Sequence, residues 1–157
     1  MRWVASLAAA FVLAACSSPS PAPGATSVAG EIPAAVAASK AQRFTEINAS
    51  VDGVTLFIAD GALERSVVYR SGRLDAPSAP QNGSGNPFDA AKVRLSLGAD
   101  LVKQVEAQFP GSRVTTVALL EVPPNGLVWA LRSRSSKGGL LNLLFTPDGA
   151  PLSAVPT

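Results

Sequence analysis

A chain of 157 residues with no histidine and a single cysteine, Cys16, has few routes to bond-breaking chemistry. A serine nucleophile needs a base to take its proton. Without imidazole that base would have to be Lys40, Lys92, Lys103 or Lys137. None sits in a serine-lysine signature, and Ser135-Ser136-Lys137-Gly138-Gly139 is a glycine-rich run that reads as a solvated hairpin turn. Paired carboxylates could hydrolyse a glycosidic bond. The acids are scattered, however: Asp52, Asp60, Asp75 and Asp148 fall in turns, and Asp100 and Glu106 on the polar face of a helix. Turn carboxylates ordinarily bond their own backbone. The missing histidines remove the common zinc sites, and one cysteine removes internal disulfides and CxxC redox chemistry. No glycine-rich phosphate loop or calcium loop is present. The chain reads as a non-enzyme with no metal and no cofactor.

What remains for recognition is mostly basic. Arg132 and Arg134 alternate onto one strand face, with Lys137 close by. Tyr69, Arg70 and Arg73, with Arg65, occupy a comparable region of the first half. Tyr69, Arg70, Arg73, Arg132 and Arg134 are therefore the candidate contacts for a partner or an anion: a lipid headgroup, a wall polymer or an acidic protein patch. The competing reading is a charged outer face that keeps strands from aggregating. A net charge of only +2, with no basic stripe, speaks against nucleic acid.

The N-terminus supplies an address. Met1-Arg2 is a minimal positive start, and Trp3 to Leu13 is apolar or small apart from one serine. That run is shorter than the roughly 20 residues a spanning helix needs, and it reads as the core of a secretory leader. It ends in Leu13-Ala14-Ala15-Cys16, which resembles a bacterial lipobox. The resemblance implies cleavage before Cys16, with Leu13, Ala14 and Ala15 as the cleavage motif and a diacylglyceryl group on the Cys16 sulfur. Acyl chains contribute about 0.8 kcal/mol per buried methylene, so two or more anchor stably. The expected location is the outer side of the cell membrane, tethered through acylated Cys16 without spanning it.

The elements that would position these residues follow from composition and periodicity. Residues 1–15 are the leader and 16–31 a Pro/Ser/Ala-rich tether that cannot bury a core. Residues 32–75 form a first half, 76–86 a turn-rich linker and 87–157 a second half. In the second half Asn86-Pro87 reads as a helix start. Leu101, Val105 and Phe109 form the stripe of a helix over 98–109, ended by Pro110-Gly111. Strands follow at 113–122, 127–134 and 140–146, the first two joined at Asn125-Gly126. The first half repeats the pattern more weakly: a helix over 34–43, then strands at 44–51, 54–59 and 65–70. Gly53 aligns with Gly126, and Gly72 with Gly149. Leu141, Leu143 and Phe145 face one way and Leu140 and Leu144 the other, so this strand asks for cover on both faces.

The helix ending in Gln108-Phe109-Pro110-Gly111, three strands and the closing Asp148-Gly149 resemble a PepSY-like repeat over about 50 residues. The resemblance implies an α+β fold, a helix packed on an antiparallel sheet of three to four strands, in two related halves. It also implies a non-catalytic module with no catalytic residue to carry over. The expected function is a membrane-anchored lipoprotein of the bacterial envelope that binds another envelope protein. A carrier of an apolar or lipid ligand, held between sheet and helices, is the alternative.

Overall fold

The computed structural model describes residues 25–156 apart from Ser84. Leu13, Ala14, Ala15 and Cys16 lie outside these residues. In chain order the elements are α1 (Ala25–Ala29), α2 (Ile32–Ser39), β1 (Arg43–Ser50), β2 (Gly53–Asp60), β3 (Leu63–Arg70), β4 (Arg73–Leu74), β5 (Gln81–Asn82) and β6 (Phe88–Asp89). A 3₁₀ turn at Ala90–Lys92 leads to α3 (Leu97–Gln108), β7 (Ser112–Val122), β8 (Gly126–Ser135), β9 (Leu140–Phe145) and β10 (Pro151–Pro156).

The strands make one ten-stranded sheet of order β10-β9-β8-β7-β1-β2-β3-β4, with β5 beside β3 and β6 beside β1. This overturns the expected fold of a helix on a small sheet of three to four strands, because the molecule is mostly antiparallel sheet. The two halves meet where β1 pairs with β7, Glu46 opposite Leu120 and Ser50 opposite Thr116. The physical reason is edge pairing. Each meander alone would leave β1 or β7 as a bare edge of unpaired N–H and C=O groups. Joining the two edges satisfies both. Local periodicity specifies strands but does not say which edges join.

Alternation sorts the side chains into two faces. Val54 and Leu56, Ile47 and Ala49, Val117 and Leu119, Trp129 and Leu131, and Leu143 and Phe145 all point to one side and are buried. The helices cover that side. α3 contributes Leu97, Leu101, Val102 and Val105. Val28 and Ala29 of α1 and Ile32 and Ala35 of α2 are also buried. Ala25–Ala29, expected to be part of the tether over 16–31, instead form α1, and Val28 and Ala29 pack into the core. The helices approach closely because α3 carries Gly98 opposite Trp129: a Cβ there would lie 2.9 Å from the indole Cζ3.

The linker at 76–86 is also structured. Ser78 N–H donates to Ser66 O at 2.8 Å, and Ser66 N–H donates to Ser78 Oγ at 2.9 Å. β5 pairs Gln81 with Glu64. Glu64 is buried, and its carboxylate accepts from the Thr45 hydroxyl and from Gln81 Nε2. The helix start expected at Asn86-Pro87 is instead an approach to β6, where Phe88 pairs with Phe44. Asp89 Oδ1 then caps the 3₁₀ turn by accepting from Ala91 N–H at 3.0 Å.

Candidate functional site

On β8 the residues Trp129, Leu131 and Ser133 point inward, so Ala130, Arg132 and Arg134 point outward. The pairing register stacks outward residues of five strands into rows. One row runs Thr55, Asn48, Ala118, Ala130, Leu144. The next runs Ser50, Thr116, Arg132, Asn142. A third places Arg113 directly opposite Arg134, with Leu140 beyond.

Small residues occupy the middle of this face and larger ones its flanks. The result is an open groove of about 580 Å³ with Ala118 and Ala130 on its floor and Phe57, Leu120 and Leu144 along its walls. All the helices lie on the opposite face. The outer side of β9, which the sequence marked as needing cover, is left half-exposed at Leu140 and Leu144. The other half does not cover it, because the halves lie side by side. The adjoining β10 is exposed along its whole length, with Leu152 43% and Val155 51% accessible.

The candidate contact residues separate on the structure. Tyr69 leaves the set: it is only 8% exposed and sits in the helix-facing core beside Val67. The reason is parity, since Val67 and Tyr69 share a face of β3. Arg70 is exposed but holds Asp75, with Nη2 2.8 Å from Oδ2. Arg65 holds Asp60 at 3.3 Å. Arg73 is exposed on the short β4. Arg132 and Arg134 do share the outer face, at one end of the groove. Arg132 is oriented there by Asn142, its Nε donating to Oδ1 at 3.3 Å. Among the described residues no carboxylate lies within ion-pair distance of Arg113, Arg132 or Arg134.

Arg113 was absent from the candidates read in the sequence, as were Phe57 and Leu144. The alternation around Val114 puts Arg113 outward, but only the β7–β8 register puts it against Arg134. Phe57 comes from the first half, and it reaches this surface only because the two meanders share one sheet.

Several carboxylates and hydroxyls have structural partners. Glu46 accepts from Asn48 Nδ2 at 3.0 Å, and Glu106 accepts from Val114 N–H at 3.1 Å. The Thr146 hydroxyl and the residue's own backbone N–H hold the Asp148 carboxyl below the usual carboxylate range. Ser135 Oγ accepts from Lys137 N–H at 3.1 Å, a turn contact. Among the described residues no group of His, Cys, Asp and Glu is placed to hold a metal ion, and no helix is long and apolar enough to cross a membrane. No family model, no curated protein and no solved structure matches the chain.

Proposed function

We propose that this protein is a non-catalytic, lipid-anchored module of the bacterial cell envelope that docks a second envelope protein on the uncovered face of its sheet. One observation carries the reading: the helices all lie on one face, leaving the apolar groove walls Phe57, Leu120 and Leu144 uncovered beside the open β10 edge. A sheet with both a bare face and a bare edge offers two routes for an extended partner to bind. The anchor rests on Leu13-Ala14-Ala15-Cys16. In this reading the tether enters at α1, on the helix side.

The test uses the acylated full chain in native membranes with a photo-crosslinking residue at Ala130, and a second version with it at the exposed Lys103 on the helix face. A discrete protein adduct from position 130 and none from position 103 is the expected result. Adducts to lipid alone from position 130 would refute the docking reading. Cys16→Ala should move the protein to the soluble fraction, and unchanged membrane retention would refute the anchor.

The carrier reading keeps one specific observation in its favour. A groove of about 580 Å³ falls in the usual range for ligand sites, roughly 300–1,000 Å³. It lies on the outer face, however, because the space between sheet and helices is filled by Trp129, Ile32 and Leu101. Co-purification of a stoichiometric lipid with the Cys16→Ala protein would favour it.

A further inference from the structure

We infer that the occupant of the groove is an acidic, extended polypeptide segment whose carboxylates pair with Arg113, Arg132 and Arg134; this rests on the docking reading above and names the chemistry of the partner. Like charges placed directly opposite each other on neighbouring strands repel. Arg113 faces Arg134 in this way, and Arg132 lies two residues along on the same face. Two other sheet arginines have a carboxylate beside them, Arg65 with Asp60 and Arg70 with Asp75. Here the described residues supply none, and Asn142 instead holds the Arg132 guanidinium in a set direction. A guanidinium so placed suits a carboxylate, which can accept two parallel N–H bonds from it.

The shape selects a polypeptide over a bilayer. The floor of Ala118 and Ala130 lies between the walls Phe57 and Leu144. A single extended chain fits such a trough, and a flat membrane surface cannot reach its floor. From the Leu120 row to the Arg113 row is roughly 20 Å, the length of about six extended residues. A segment that is acidic toward the arginine end and apolar toward Phe57 and Leu120 matches both features at once.

The probe is a fluorescein-labelled hexapeptide of three Glu followed by three Val, titrated against the acylated full chain in phosphatidylcholine nanodiscs. Saturable binding is expected, weakened about tenfold by Arg113→Gln and by Arg134→Gln, the scale of one charge-assisted contact. Arg134→Lys should recover part of it, because the charge returns without the planar fork. Arg65→Gln, remote from the groove, should leave binding unchanged. Added salt should weaken binding, as screening requires. Equal binding of a Lys/Val hexapeptide, or indifference to both glutamine variants, would overturn the inference. So would competition by inorganic phosphate at equal affinity, or a stronger, arginine-dependent attraction to phosphatidylglycerol vesicles than to the peptide. If the peptide fails while the crosslinker at position 130 still captures a protein, the docking reading stands and only the acidic partner falls.

Discussion

Gly98 and Trp129 touch across the interface between α3 and the sheet: a Cβ built on Gly98 would come 2.9 Å from Cζ3 and 3.1 Å from Cη2 of the indole. Trp129 is completely buried, and Ile32 Cδ1 stands 3.4 Å from the same built atom, so neither neighbour has free space behind it. Alanine for glycine inside a helix normally gains up to about 1 kcal/mol. Overpacking a filled core costs about 1–3 kcal/mol. Gly98→Ala should therefore destabilise the protein by about 1–2 kcal/mol, read as a lower urea midpoint with an unchanged slope. A raised midpoint would mean that α3 lifts off the sheet without loss.

Arg134→Glu turns the repulsive pair with Arg113 into an attractive one. Cross-strand charge pairs are worth about 0.2–1 kcal/mol. The variant should be more stable than the parent by about 0.5 kcal/mol at low ionic strength, and the gain should fade in high salt. It should also abolish binding of the Glu/Val peptide. A variant both more stable and less able to bind is the mark of a residue kept for recognition; equal or lower stability would count against the repulsion.

Glu64 fastens the linker to the sheet through Thr45 and Gln81. Glu64→Ala leaves the buried Thr45 hydroxyl without this partner, which costs about 1–3 kcal/mol. The loss should be concentrated at the linker. Limited proteolysis should cut between residues 76 and 86 faster in the variant, while the amides of β7 and β8 keep their exchange protection. Uniform loss of protection would show that Glu64 supports the whole sheet instead.

Asp148 sets a small pH dependence with a definite sign. The Thr146 hydroxyl, and secondarily its own backbone N–H, lower its pKa in the folded chain. The charged form is thus favoured by folding. Its contribution is complete above the ordinary carboxylate range and lost as the pH falls through the lowered value. The stability of the parent relative to Asp148→Asn should shrink between neutral pH and about pH 3. The effect is small because the group is fully exposed, and a difference that widens on acidification would contradict it.

The strands of the second half were legible because their signals are strong and local. Asn125-Gly126 marks a hairpin whose glycine does take a positive φ of 73°, and Leu127 to Arg134 alternate cleanly. Leu101 and Val105 of the α3 stripe were legible for the same reason, but Phe109, expected to complete it, lies just past the helix and is exposed. β10 was not, since proline stands at both of its ends and removes the donors that a strand normally offers. α1 was hidden in an alanine-rich stretch whose burial depends on where the sheet lies. The groove needed information no local window carries: the β1–β7 pairing that brings Phe57 to it, and the register that sets Arg113 against Arg134.

The pairing of β1 with β7 also makes the covalent link between the halves dispensable to the architecture. A single nick in the loop between β5 and β6 would sever the backbone yet leave each fragment with its own meander and the whole seam between them, from Glu46–Leu120 to Ser50–Thr116, still hydrogen-bonded. The molecule is in this sense a heterodimer written on one ribbon, suited to reconstitution from two separately expressed pieces.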